Sequence, residues 1–282
     1  MRTLALLTLL CLGAAAYIVG FDKVPQASSG VKGASQAAAG YCNPPEIAGT
    51  INAASDSTTV SPGSVAVIFW CDNSVSLPAS PITSVLVNGA PSYLYPPPAT
   101  PVTSMLANSQ SSYLQLLVQL PVQASAGTKL IQLKRNTQVV AESGIDLSAF
   151  APGIFTVNKL GTGLAVADHS NGSAVTAACP ANPGEAVTIY AEGLGPTTPP
   201  VATGELPPFG QLTSTNTLPA VTVGASDASV LFAILSFNVV GVYQVNFVVP
   251  AVGAGQMPLQ IQIGQQSSNT AQLPVGPNSC AP

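Results

Sequence analysis

Two alternating stretches, more than a hundred residues apart, carry the plainest signal in this sequence. Leu114, Leu116, Val118 and Leu120 alternate with Gln115, Leu117 and Gln119 and run into Pro121. Tyr243, Val245, Phe247 and Val249 alternate with Gln244, Asn246 and Val248 and run into Pro250. A period of two puts one apolar row on one side of an extended chain, so each stretch predicts a strand packed on a core. Each has a matching partner upstream. Ser61-Pro62-Gly63-Ser64 leads into Val65-Ala66-Val67-Ile68-Phe69-Trp70, and Asn182-Pro183-Gly184-Glu185 leads into Ala186-Val187-Thr188-Ile189-Tyr190. Pro-Gly suits the centre of a type II turn, where glycine takes the positive φ, and the β-branched and aromatic run after it predicts a strand. Downstream, Ile131 and Leu133 flank Gln132, as Leu259, Ile261 and Ile263 flank Gln260 and Gln262. Turn, strand, strand, proline and strand therefore recur in the same order.

Short strands at this spacing predict an all-β chain of two tandem immunoglobulin-like β-sandwiches, over residues 47–148 and 149–276, with a short tail at 277–282. Ala149–Phe155, with its Pro-Gly pair among apolar residues, reads as a packed hinge between them. The 25 glycines and 26 prolines suit tight turns and oppose a helical bundle.

The N-terminus predicts export. Met1-Arg2 precedes an apolar run and then Gly13-Ala14-Ala15-Ala16, the layout of a signal peptide over residues 1–16 with Ala14 and Ala16 before the cut. The alternative is a retained anchor over residues 3–20, which is 18 residues without charge and near the lower limit for spanning a bilayer. Only through that segment does the sequence touch a membrane. Residues 17–46 form an Ala-, Ser- and Gly-rich spacer or a strand donated to a neighbour. With Cys11 removed, Cys42, Cys71, Cys179 and Cys280 remain, an even set suited to disulfides in an oxidising compartment. Three pairings are open; Cys42–Cys71 with Cys179–Cys280 would tie each half to itself.

Charge changes the picture of what the surface can do. Only 6% of residues are charged, 47% are hydrophobic, and the net charge is −4. Mean hydropathy is +0.42. Disorder is excluded by the apolar content, and nucleic acid by the lack of a basic surface. A surface this poor in charge has little colloidal protection, and neutral amides such as Gln115, Gln119, Gln244, Gln260 and Gln262 on polar strand faces suit contacts with neighbours.

Candidate chemistry is sparse. His169, the one histidine, lies in the turn-rich Ala167-Asp168-His169-Ser170-Asn171-Gly172 and reads as a surface loop, with no Gly-x-Ser-x-Gly elbow to make it a hydrolase base. Glu185, Glu192 and Glu205 read as solvated charges rather than a glycosidase pair. Asp168 and Asp227 lack the clustering of a calcium loop, and the cysteines lack the spacing of a zinc site. No catalytic residue, metal or cofactor is expected. Contact-surface candidates are Tyr93, Tyr95, Trp70 and Phe209; the first two precede Pro96-Pro97-Pro98, which forces an extended segment, whereas core packing is the commoner role for Trp70.

Four motifs carry a resemblance. Ile51-Asn52-Ala53-Ala54-Ser55, Ala151-Pro152-Gly153-Ile154-Phe155, the run Ala191-Glu192-Gly193-Leu194-Gly195-Pro196-Thr197-Thr198-Pro199-Pro200, and Gly241-Val242-Tyr243-Gln244-Val245-Asn246 together resemble the Solibacter-type uncharacterised C-terminal domain family of exported acidobacterial proteins. The resemblance covers about residues 50–276 and implies paired immunoglobulin-like modules outside the cytoplasm, without an assigned activity. The chain departs from it at Trp70-Cys71-Asp72-Asn73, where a glycine turn is usual. Family members are usually tails of larger proteins, whereas here the pair fills most of the sequence, which shifts the expectation towards a subunit. The expected function is a non-enzymatic extracellular structural protein that assembles with itself into a fibre or layer. The alternative is an adhesive or carbohydrate-binding module, or a membrane-tethered accessory subunit, with another envelope protein or a polysaccharide as partner.

Overall fold

The computed structural model describes residues 45–71, 82–95, 104–105 and 112–277. The signal or anchor segment, almost all of the 17–46 spacer, Cys11, Cys42, Cys280 and the Pro96-Pro97-Pro98 run lie outside the described residues. Among the described residues every regular element is a strand, and no helix is long and apolar enough to cross a membrane.

In the first half, Glu46–Asn52, Val65–Cys71, Ser112–Gln119 and Tyr93–Leu94 lie side by side in one sheet. Ala90–Pro91, Ser84–Val87, Gly127–Arg135 and Gln138–Leu147 form the other. All neighbours are antiparallel, and the two sheets close on a core containing Ala66, Ile68, Trp70, Val85, Val118 and Leu133. In the second half, Gly153–Ile154, Ala186–Glu192, Tyr243–Val248 and the later part of Ser226–Leu235 form one layer. Ala220–Val223, the first residues of Ser226–Leu235, Gly255–Ile263 and Ala271–Val275 form the facing layer. Ser226–Leu235 passes from one layer to the other, with its ladder to Tyr243–Val248 shifting between Val230 and Phe232, the kind of bulge that bends a strand. Val187, Ile189, Val245, Phe247, Leu259 and Ile261 are buried between the layers. The chain is thus two antiparallel sandwiches of the immunoglobulin-like kind.

The repeat seen in the sequence is a repeat of register. Val65 pairs with Gln119 and Ala66 with Val118, two and three residues before Pro121. Ala186 pairs with Val248 and Val187 with Phe247, two and three residues before Pro250. The next amide closes the turn in both: Leu120 N–H donates to Ser64 O at 3.0 Å, and Val249 N–H to Glu185 O at 2.8 Å. Gly63 and Gly184 take φ of 76° and 86°, as the Pro-Gly turns require. The other sheet repeats as well, with Val85 opposite Leu133 and Val221 opposite Ile261.

Val65–Cys71 is buried along its whole length. Its Ala66, Ile68 and Trp70 face the first core, while Val65, Val67 and Phe69 face outward into a third apolar cluster. That cluster also holds Ile51, Ala54, Tyr95, Phe155, Tyr190, Val240 and Val242, so it draws on both halves.

Candidate functional site

The junction between the halves is built from the motifs around Asn52, Ala151–Phe155, Glu192–Gly195 and Tyr243. Asn52 ends the strand Glu46–Asn52; its Oδ1 accepts from the Ala54 and Ser55 amides at 3.0 and 2.9 Å. Its Nδ2 donates to Ala151 O at 2.9 Å, across to the second motif. Gly153 must be glycine there, because a Cβ would sit 2.5 Å from Asn52 Oδ1. Glu192 ends the strand Ala186–Glu192 and is fully buried. One of its carboxylate oxygens accepts from Ala54 N–H at 2.8 Å, and the other accepts from Val65 N–H in a short bond. A buried carboxylate persists only when such donors replace its water.

This placement corrects the reading of Glu192 as a solvated loop charge. The signal that could have revealed it is an acid at a strand end with apolar residues on both sides, Tyr190-Ala191 before and Leu194 after. The run after Glu192 is fixed by close approach. A Cβ on Gly193, at φ 71°, would lie 1.9 Å from Ala151 O, and one on Gly195 would lie 2.5 Å from the Phe150 ring. Tyr243 donates its hydroxyl to Gly195 O at 2.5 Å, and Tyr95 donates its own to Val240 O at 2.5 Å. Burial, then the Glu192 charge, pushes both phenol pKa values up.

Beside the junction lies a cleft of about 370 Å³, with Gln119, Val122, Pro196, Glu205, Ser236 and Tyr243 in its wall. The loop that borders it belongs to the second half but is tied to the first. Gly204 N–H donates to Gln119 Oε1 at 2.8 Å, and Val122 N–H donates to Thr203 Oγ1 at 3.0 Å. Beyond this tie, turns closed by Glu205 N–H to Ala202 O and Gln211 N–H to Pro208 O hold out Leu206, Phe209 and Leu212. They are 42%, 85% and 49% exposed.

The four contact-surface candidates therefore separate. Trp70 is buried in the first core and Tyr95 in the junction, so neither has a free ring face. Tyr93 is half-buried, edge-on to Tyr95 at 5.0 Å, and packs over Gly204. Phe209 alone of the four stands in solvent.

His169 is buried, which overturns its reading as a surface loop. It ends the strand Ala167–His169, paired with Ala186–Glu192. Its Nδ1 lies 2.6 Å from Glu185 Oε1, and its Nε2 lies 3.2 Å from both the carbonyl oxygen and the Sγ of Cys179. Glu185 is thus paired rather than solvated. Its Oε2 accepts from Asn182 N–H at 2.8 Å across the Pro-Gly turn. Adjacent Asp168 is buried too and accepts from the Tyr190 hydroxyl at 2.9 Å. Burial raises the Asp168 pKa to about 6, against the lowering effects of Tyr190 and His169. Cys71 and Cys179 are half-cystines. Among the described residues no group of three or more His, Cys, Asp or Glu could hold a metal ion.

No protein-family model and no curated protein matches the sequence. Among solved structures, the Bacteroides ovatus mixed-linkage glucan utilization locus protein SGBP-B, in complex with a mixed-linkage heptasaccharide, is similar at 12% identity and TM-score 0.30, over 77% of this chain and 43% of its own. The surface glycan-binding protein PbSGBP-B from Prevotella bryantii is similar at 13% identity and TM-score 0.26, over 81% of this chain and 42% of its own. Domains 5–6 of the S-layer protein SbsC are similar at 15% identity and TM-score 0.24, over 77% and 91%. The chain spans less than half the length of the two glycan-binding proteins. At these scores the likeness says nothing about a ligand.

Proposed function

We propose that this protein is a non-enzymatic structural subunit of an extracellular assembly, joined to further copies of itself through the loop that carries Phe209. The observation behind this reading is that Leu206, Phe209 and Leu212 are all exposed on one loop, tied at its base to Gln119 and Val122. Between Pro199 and Thr213 the only charged residue is Glu205. Apolar residues held out together, on a surface with few charges to keep copies apart, favour association. Burying one phenylalanine contributes about 2 kcal/mol, and a loop already fixed loses little further entropy on docking.

Sedimentation velocity over a concentration series tests this with wild type and Phe209→Asp. The substitution sits in solvent and leaves both cores intact. The expected result is association that grows with concentration in wild type and is lost in the variant. A wild type that stays monomeric throughout, or a variant that associates equally, would contradict the reading.

A second reading rests on the cleft, whose volume falls in the range of small-molecule and saccharide sites. Its polar wall groups, with Tyr243 among them, would suit a neutral polysaccharide. Affinity electrophoresis in gels cast with neutral polysaccharides separates the two readings, since only this one requires retardation of the monomer.

A further inference from the structure

The two sandwiches share their last ladder and differ in what lies on its outer side. Gly127 pairs with Leu147 and Ile131 with Ser143 in the first half, as Gly255 pairs with Val275 and Leu259 with Ala271 in the second. Gly144, opposite Leu130, therefore stands where Gln272 stands opposite Pro258. Pro258 has no N–H, and its carbonyl accepts from Gly224 N–H at 2.7 Å. Leu130 also turns away: its carbonyl accepts from Asn88 N–H and its N–H donates to Asn88 Oδ1, both at 2.8 Å. Neither pair shares a ladder hydrogen bond, so the N–H and C=O of Gly144 and of Gln272 point off the sheet.

In the second half these groups are taken. Gln272 N–H donates to Gly163 O at 2.7 Å, and Gln272 O accepts from Ala165 N–H at 2.9 Å, with Leu164 as a parallel bridge. The covering strip belongs to the excursion 155–166, between Ile154 opposite Ala191 and Ala167 opposite Ile189. At the equivalent step of the first half, from Ile47 opposite Trp70 to Thr50 opposite Ile68, the chain passes through Ala48 and Gly49 with a single bulge. Among the described residues, Gln138–Leu147 has Gly127–Arg135 as its one strand partner, and a bridge from Val60 reaches its last residue. Gly144 O receives the hydroxyl of its neighbour Ser143, at 3.4 Å.

The outer row of this strand reads Glu142, Gly144, Asp146, all exposed. Glu142 accepts from Gln132 Nε2 and Asp146 from Thr128 Oγ1, neutral donors that leave both charges uncompensated. Gly144 brings no side chain over Leu130, which is 42% exposed.

We propose that this edge binds an extended strand of another protein, in which a large apolar residue has Lys or Arg two residues before and two residues after it. The strand lies parallel, as the strip around Leu164 does. The carbonyl before the apolar residue accepts Gly144 N–H, and the amide after it donates to Gly144 O. The apolar side chain then covers Leu130, and the two cations meet Glu142 and Asp146, each about 7 Å along the strand. Main-chain hydrogen bonds hold such a peptide and alternate side chains select it. A second copy of this chain does not supply it, because no two of its seven Lys and Arg stand four residues apart.

The test titrates the full chain into the labelled heptapeptide Thr-Lys-Thr-Phe-Thr-Lys-Thr, and into its counterpart with Glu for both Lys, and reads fluorescence anisotropy. The lysine peptide should bind at least about tenfold tighter than the glutamate peptide, and more weakly as salt is raised. Glu142→Lys combined with Asp146→Lys should reverse the preference. Gly144→Pro removes the outward N–H without touching the ladder to Gly127–Arg135, and should weaken the lysine peptide at least about tenfold. Amide exchange followed by NMR should find Gly144 N–H open in the free chain and slowed by the lysine peptide. Should Gly144→Pro fail to fold, the exposed charge pair carries the same test. Equal binding of the two peptides, or a preference that the double substitution does not reverse, would overturn the proposal. So would a Gly144 amide already protected in the free chain, since the chain would then cover this edge itself.

Discussion

The carboxylate of Glu192 accepts the backbone N–H of Val65, 127 residues earlier in the chain, and so ties the first strand of the second repeat to its counterpart in the first. The same side chain takes Ala54 N–H with its other oxygen. The same junction holds Val67, Phe69 and Tyr190, outward-facing residues that a solitary sandwich would leave wet. The four motifs at the junction thereby gain a physical reading. They specify how two sandwiches meet.

Removing that carboxylate should be costly. Glu192→Ala leaves the buried Val65 amide without its acceptor, at about 1–3 kcal/mol, while Ala54 N–H keeps Asn52 Oδ1. Urea denaturation should therefore show a loss of about 1–3 kcal/mol, whereas a loss within about 0.5 kcal/mol, the range of an ordinary surface substitution, would mean that the junction does not depend on Glu192.

Two glycines with similar backbone angles should behave differently. Gly184 has φ 86° with open space around its missing Cβ, and Gly193 has φ 71° with Ala151 O in the way. Gly184→Ala should cost about 1 kcal/mol through left-handed strain alone. Gly193→Ala should abolish folding or lower the thermal midpoint several times further, as read by circular dichroism.

Asp168 should make stability depend on pH in an unusual direction. Its folded pKa of about 6 lies above the ordinary value of 3.8, so the folded state holds its proton more tightly. Stability is therefore highest below about pH 4, falls as pH rises towards 6, and stays reduced above that. Asp168→Asn keeps an acceptor for the Tyr190 hydroxyl and removes the charge. Its melting temperature should exceed that of wild type by about 2–4 °C at pH 7.5, with the gap closing by pH 4. A gap that does not change with pH would contradict the assignment.

Much of the fold was legible because it rests on local pattern. The Pro-Gly turns, the alternation at Leu114–Leu120 and Tyr243–Val249, and the proline that ends each stretch fix both strands and register without distant information. The chemistry was less legible because burial of a polar group depends on what arrives from elsewhere. His169 sits in a polar, turn-rich stretch, and nothing local shows that Glu185 and Cys179 will enclose it. Glu192 reads as a loop charge until Ala54 and Val65 bring their amides. Tyr95 stands beside three prolines, yet its ring is covered by the other half of the molecule. Phe209 differs in kind, because its neighbours Pro207, Pro208 and Gly210 allow a turn but no strand that could carry it inward.

The central claim is that the two sandwiches are locked into one body by the buried Glu192 junction. Hydrogen exchange with mass spectrometry across a urea series tests it most directly, comparing amides of Val65–Cys71 with those of Ala186–Glu192. The account predicts that both strands lose protection in a single common transition in wild type, and in two separate transitions in Glu192→Ala. Independent transitions in wild type, or one shared transition that Glu192→Ala leaves undivided, would contradict it.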